Sequence, residues 1–135
     1  MKKQKKKYHN IFTYGVFDLF HYGHLLALKE VAKLGHNLTI GVYTDSAATE
    51  FKRVPIIRQH ERFKLIKELE LGKVVYLNTF SPTVKELKKL HINLVAKAPG
   101  AGFDSDKTPD FGGIETLVIP YTDGISTSEI IKRLR

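Results

Sequence analysis

Apolar residues gather in five short runs separated by amphipathic stretches, and this alternation sets the expected fold. Ile11-Phe12-Thr13-Tyr14-Gly15-Val16-Phe17 is the first run; others, rich in Val, Ile and Leu, lie at 37–43, 73–77, 92–96 and 115–119. Each has strand length and the β-branched or aromatic content that suits a buried, pleated surface. Between them, apolar positions recur with helical spacing at 24–34, 58–70 and 82–90, with a last such stretch near 127–134. Strands regularly separated by helices predict right-handed crossovers and a parallel sheet covered on both faces, a Rossmann-like doubly wound α/β domain of five strands. In such sheets ligands bind outside the carboxyl ends of the strands. No internal repeat or domain linker interrupts the pattern, and 98–113, rich in Gly, Pro and Asp, reads as one long loop able to lie over a ligand.

With 135 residues and 42% hydrophobic content, the chain has apolar side chains for one core and not for two. It contains no cysteine, hence no disulfide and no thiol catalysis, in keeping with a reducing, cytoplasmic setting. No apolar run nears the roughly 18 residues of a membrane span, and no hydrophobic segment follows the first lysines as a signal peptide would require. The net charge is +8, but the five lysines within 1–7 carry most of it and leave about +3 on the remainder. Residues 1–10 therefore read as a basic, disordered arm and 11–135 as the folded domain. Lys2, Lys3, Lys5, Lys6 and Lys7 would also give the arm a weak contact with an anionic membrane, at about 1 kcal/mol per basic residue near such a surface. Nucleic acid is not an expected partner, because no aromatic platform interleaves with the basic residues.

His21-Tyr22-Gly23-His24 stands where the first strand gives way to the first helix. A helix N-terminus offers unpaired backbone N–H groups and a partial positive charge. Gly23 removes the side chain that would keep an anion at a distance. His21 and His24, three apart, share one face of the first turn and can each donate a hydrogen bond to phosphoryl oxygens. The same pair would suit two ligands of a zinc ion, but a third at plausible spacing is missing, since there is no cysteine and no His-Glu-x-x-His run. No metal site built from side chains is expected.

The full run Thr13-Tyr14-Gly15-Val16-Phe17-Asp18-Leu19-Phe20-His21-Tyr22-Gly23-His24 resembles the cytidylyltransferase family. Its members include the glycerol-3-phosphate, choline-phosphate and ethanolamine-phosphate enzymes, within the wider HxGH nucleotidyltransferase superfamily. A second stretch, Thr122-Asp123-Gly124-Ile125-Ser126-Thr127-Ser128, is similar to the C-terminal signature of that family, and the likeness covers 11–135. The resemblance implies an enzyme in which the phosphate of a small phosphorylated alcohol attacks the α-phosphorus of CTP. Magnesium would accompany the triphosphate, pyrophosphate would leave, and a CDP-alcohol would form. Such transfers need little from a protein nucleophile and are accelerated by in-line positioning and by donors aimed at developing charge.

By the same resemblance, His21 and His24 would hold the triphosphate and stabilise the transition state. Val16, Phe17 and Gly23 would contribute contacts to the nucleotide, and Asp18 would shape the acceptor site. Lys52 falls where the choline-phosphate branch carries its catalytic lysine, because the interval from Asp45 to Arg62 is the family's own. It would serve both the triphosphate and the acceptor phosphate. Arg62 resembles the family arginine that reaches the nucleotide, and the competing reading is a surface ion pair. Arg53 and Arg58 are fixed by no motif. Gly124, Ile125, Ser126 and Thr127 would meet the β- and γ-phosphates, while Ser126-Thr127-Ser128-Glu129 also reads as a capping box opening the last helix.

Three departures from the family pattern narrow the expectations. Tyr121 stands where the family usually has an arginine, so Arg133, Arg135 or Lys107 would have to supply that charge. Val95-Ala96-Lys97-Ala98-Pro99-Gly100 lacks the acidic or aromatic acceptor motif of related enzymes. Lys97 favours an anionic group there over a quaternary ammonium, which puts glycerol 3-phosphate ahead of phosphoethanolamine and phosphocholine. Leu69-Glu70-Leu71-Gly72-Lys73-Val74 lacks the Arg-x-Val-Asp-Glu-Val stretch that supports the dimer interface in relatives, although a homodimer is still the expected assembly. Two other functions stay open. One is an adenylyltransferase, because the histidine element handles phosphates without reading the base. The other is a catalytically degenerate, nucleotide-binding regulatory protein, which Tyr121 would favour.

Overall fold

The computed structural model describes residues 7–97, 111–119 and 127–134. In chain order the elements are β1 (Tyr8–Gly15), α1 (Tyr22–Ala32), β2 (Gly35–Tyr43), α2 (Asp45–Phe51), α3 (Gln59–Glu68), β3 (Lys73–Leu77), α4 (Val84–Lys89), β4 (Leu94–Lys97), β5 (Glu115–Val118) and α5 (Thr127–Arg133). The five strands form one sheet in the order β3-β2-β1-β4-β5, and every pairing is parallel. This is the expected Rossmann-like α/β fold. The chain builds outward from β1 to β2 and β3, then returns to lay β4 on the other side of β1, so the topological switch falls between β1 and β4.

Side chains on a strand point alternately to opposite faces, and the two cores follow that rule. Ile11, Ile40, Val42, Leu94 and Ala96 meet Leu28 and Val31 of α1 and Ile66 of α3 on one face. Phe12, Tyr14, Tyr43, Leu77 and Val95 meet Ala47 and Ala48 of α2 and Leu87 of α4 on the other. Successive residues such as Ile11 and Phe12, or Val42 and Tyr43, therefore serve different layers. A sheet buried on both faces explains why its strands read as continuous apolar runs.

Several boundaries differ from the pattern-based expectation, each for a local reason. β1 starts at Tyr8, ahead of the expected 11–17, because polar residues extend its ladder. Asn10 accepts from Asn37 Nδ2 (3.0 Å), donates its backbone N–H to Asn93 Oδ1 (2.9 Å) and donates Nδ2 to the His91 carbonyl (3.0 Å). The strand ends at Gly15, because Phe17 and Leu19 adopt positive φ values of 57° and 49°. The backbone turns there through a region that side chains other than glycine rarely occupy. Helix α2 has no counterpart in the expected pattern. It is short, buries only Ala47 and Ala48, and depends on Thr44, whose Oγ1 accepts from the Ala47 N–H at 3.1 Å. Gly72, ahead of β3, has no alternative, since a Cβ there would sit 2.2 Å from the Leu38 carbonyl oxygen.

Candidate active site

The carboxyl end of β1 delivers the chain to His21 through Val16, Phe17 and Asp18, and α1 begins there. His21 is the N-cap, in extended conformation, and its Nδ1 accepts the Gly23 N–H at 3.1 Å. His24, at the third helical position, returns the bond: its Nδ1 accepts the His21 N–H at 3.2 Å. This is a capping box in which imidazoles replace the usual hydroxyl and carboxylate. An imidazole nitrogen that accepts carries no proton, so both rings are assigned the Nε2–H tautomer. The rings stack at 3.9 Å and 22°, and His24 is also held by Phe20 (5.3 Å, stacked) and Phe17 (5.7 Å, edge-on). Among the described residues, the buried His21 Nε2 has no hydrogen-bond partner. A buried donor left without a partner is costly unless a ligand supplies one.

Electrostatics keep both rings neutral. Burial, then the charges of His21 and Lys52, outweigh the pull of Asp18 and push His24 down to about 3. Burial also lowers His21. At neutral pH the pair therefore offers N–H donors and no formal charge.

Asp18 is 2% exposed and fully engaged. Its Oδ1 accepts from the Ile57 N–H, and its Oδ2 accepts from the Ile56 N–H and from Arg53 Nη1, all at 2.8 Å. Burial alone would raise this carboxyl, but the two backbone donors and the guanidinium outweigh it and hold it below the ordinary carboxylate value. Asp18 thereby fastens the segment after α2 beneath the end of β1. That segment starts at Lys52, the exposed C-cap of α2. Partial desolvation and then the charge of Arg53 lower the Lys52 ammonium, and Asp18 opposes them. His24, Asp18, Lys52 and Arg53 thus form one interacting group: Lys52 and Asp18 act on His24, Arg53 and Asp18 act on Lys52, and Arg53 bonds Asp18 directly.

Arg62 is not a surface ion pair. It is 1% exposed, and its guanidinium is spent on four bonds inside the protein. Nε donates to the Ile57 carbonyl (2.8 Å), Nη1 to the Val16 (2.7 Å) and Tyr43 (2.8 Å) carbonyls, and Nη2 to Asp45 Oδ1 (2.7 Å). It ties α3 to the ends of β1 and β2 and to the first turn of α2. Val16, expected to offer main-chain contacts, has its carbonyl taken by this arginine. Lys97 closes β4, next to β1 in the sheet, is 4% exposed, and has its ammonium lowered by burial.

Gly124, Ile125 and Ser126, with Tyr121, Lys107 and Arg135, lie outside the described residues, as does the side chain of Thr127, whose backbone opens α5. Arg133 is exposed near the end of α5. Among the described residues no three His, Asp or Glu side chains gather as a metal cage. Asp18 is already saturated, so a magnesium ion here would travel with nucleotide phosphates, its usual partners. Arg53 is the site residue that sequence reasoning left without a role. Its contact with Asp18 spans 35 positions, and the one local cue was a pair of adjacent basic residues before Val54-Pro55.

The parallel sheet with a donor pair at its switch point defines a class, the α/β domains that grip a ligand at the end of the first strand. Within that class the chain belongs to the cytidylyltransferase-like family, whose model matches residues 12–133. It is 37% identical over 134 residues to an ethanolamine-phosphate cytidylyltransferase of Dictyostelium discoideum, an alignment covering 92% of this chain and 37% of that one. The chain thus spans little more than a third of that relative's length. An FAD synthase of Thermococcus sibiricus is 32% identical over 141 residues, covering 96% of this chain and 95% of its own. Among solved structures, a lipopolysaccharide core biosynthesis protein from Thermoplasma volcanium superposes with a TM-score of 0.66 at 26% identity, covering 85% of this chain and 97% of that one.

Proposed function

We propose that this protein is a nucleotidyltransferase that moves a nucleoside monophosphate, CMP from CTP in the first instance, onto the phosphate of a small phosphorylated alcohol. An oxygen of the acceptor phosphate attacks the α-phosphorus, the bond to the bridging oxygen of the β-phosphate breaks, and pyrophosphate leaves with that electron pair. The observation that carries the reading is the reciprocal histidine cap. Because the backbone occupies both Nδ1 atoms, both protons sit on Nε2. Two neutral, rigid donors at a helix N-terminus suit the equatorial oxygens of a phosphorane-like transition state. They need no reorientation as charge develops. Lys52 supplies the mobile positive charge, and magnesium enters with the triphosphate as part of the substrate.

The relatives support the coarser activity and divide on the substrate. The ethanolamine-phosphate enzyme favours CTP with a phosphorylated alcohol. The FAD synthase, which matches this chain over nearly its whole length, is the specific observation behind a second reading, adenylyl transfer from ATP. A homodimer is part of the proposal, supported by the exposed apolar residues Leu65 on α3 and Tyr76 on the edge strand β3. The deciding experiment measures pyrophosphate release with CTP or ATP, magnesium, and in turn glycerol 3-phosphate, phosphoethanolamine, phosphocholine or FMN. Release with CTP and a phosphorylated alcohol is expected. Release with ATP alone selects adenylyl transfer, and none with any pair leaves a nucleotide-binding regulatory protein.

A further inference from the structure

Arg53 belongs to no motif, yet its guanidinium is held at one corner only. Nη1 donates to Asp18 Oδ2 at 2.8 Å and to the Val54 carbonyl at 3.3 Å. Neither Nε nor Nη2 bonds to a described residue, and the side chain is 31% exposed. The arginine is therefore oriented by a buried carboxylate while keeping one edge of its fork for a ligand, and that edge suits two oxygens of one phosphate. Its neighbour in sequence is Lys52, whose ammonium feels its charge.

The partner side of the ion pair matters equally. Among the described residues Asp18 is the one acidic group whose charge reaches both His24 and Lys52. An acceptor carrying an ammonium would gain most from that carboxylate, but its oxygens already accept from Arg53, Ile56 and Ile57. Such an acceptor would have to displace a guanidinium from a buried site or lie against its positive charge. A phosphate on a neutral polyol meets only donors.

We propose that Arg53 is the receptor for the acceptor's phosphate, through Nε and Nη2, and that its pairing with Asp18 makes the site prefer acceptors without a positive charge, glycerol 3-phosphate over phosphoethanolamine. The assignment rests on the nucleotidyl transfer proposed above. Both the acceptor and the triphosphate could offer an oxyanion to Arg53, and separate Michaelis constants distinguish them.

The test compares wild type with Arg53→Gln and Arg53→Lys in steady-state assays, alongside calorimetric titration of glycerol 3-phosphate without nucleotide. Loss of a charged, two-pronged contact should raise the KM for glycerol 3-phosphate about 10–100-fold in Arg53→Gln, the scale of a hydrogen bond to a charged group. The KM for CTP should change less than about 3-fold, and Arg53→Lys should recover only part of the loss because an ammonium lacks the fork. Freeing Asp18 should also narrow the preference for glycerol 3-phosphate over phosphoethanolamine by at least about 10-fold in kcat/KM, as a released carboxylate becomes available to the ammonium. A rise confined to the KM for CTP, unchanged kinetics in folded Arg53→Gln, or no glycerol 3-phosphate binding to wild type by either method overturns the assignment. If wild type turns over no acceptor yet binds glycerol 3-phosphate in an Arg53-dependent way, the catalytic reading fails and the phosphate receptor stands. If wild type turns over and Arg53→Gln binds glycerol 3-phosphate equally well, the reverse holds.

Discussion

His24 serves the helix with one ring nitrogen and, in the proposed mechanism, a phosphoryl oxygen with the other, so a single substitution confounds two effects. His24→Ala should lower kcat by about 10²–10³, the scale for removing one preorganised donor. It should also cost about 1 kcal/mol of stability, because the His21 N–H loses its cap. His24→Gln separates the two. Glutamine at the third helical position can still return the capping bond, so the urea midpoint should stay near wild type while kcat falls. Protonation gives a second check. With His24 at about 3 in the folded protein against an ordinary 6.5, the unfolded chain binds the extra proton between those values. Stability should therefore be full above about pH 6.5 and decline as the pH falls, by up to about 1.4 kcal/mol per unit for each such histidine. His21 shifts in the same direction. Asp18, held below the ordinary carboxylate value, adds no slope above about pH 4.5. Urea midpoints measured from pH 7.5 to 4.5 should fall in wild type and fall less in His24→Gln; parallel curves would contradict the assigned shift.

At the scale of elements, Arg62 joins four of them, and its replacement is expected to act on the fold before it acts on any substrate. Arg62→Ala leaves the buried Tyr43 carbonyl and the half-buried carbonyls of Val16 and Ile57 without their donor. A loss of about 3–5 kcal/mol in denaturant unfolding is expected, the range for breaking a buried polar network. Lysine cannot replace it, since one ammonium cannot reach carbonyls on separate elements and Asp45 together. A stable Arg62→Ala with reduced nucleotide affinity alone would favour the direct contact that the family resemblance implies. The interval that marked Lys52 and Arg62 was visible in the sequence, whereas the burial of Arg62 was not, because nothing in the spacing says that its neighbours' carbonyls converge on one point. Helix α2 escaped notice for a related reason. Seven residues with two buried alanines make no periodic stripe, and Thr44 capping was the one local sign. Thr44→Ala should cost about 1 kcal/mol and loosen Lys52 at the opposite end of the helix, read as lost protection of the Lys52 N–H in hydrogen exchange.

For the whole molecule, the alternation of apolar runs with helical stretches was enough to read five parallel strands and two covered faces, since that architecture depends on periodicity and connection length alone. Strand order followed less directly. That β4 pairs with β1 is decided by the return of the chain across the sheet, for which the partners Val95 and Phe12 carry no pairwise signal. The switch this creates places the carboxyl ends of β1 and β4 side by side on one edge, the first leading on to His21 and the second carrying Lys97. A ligand bridging that edge stabilises the native sheet as a unit. CTP with magnesium at about 100 times its Kd should add about 2.7 kcal/mol to unfolding, and a thermal-shift panel of nucleoside triphosphates should rank CTP first. A shift with ATP and none with CTP would reverse the base preference.

The reciprocal cap at His21 and His24 also bears on descent. Imidazole is not the side chain that a helix start would choose: hydroxyls and short acids or amides cap better, and glutamate or glutamine is the usual answer at the third position. A duplicated copy released from catalysis would still need both backbone N–H groups satisfied, because α1 packs Leu28 and Val31 against the sheet. Such a copy should drift toward Ser, Thr or Asp at position 21 with Glu or Gln at 24, keeping the helix while losing both Nε2 donors. Silenced descendants would then be recognisable by the replacement of this pair with ordinary capping residues, long before their cores showed any decay.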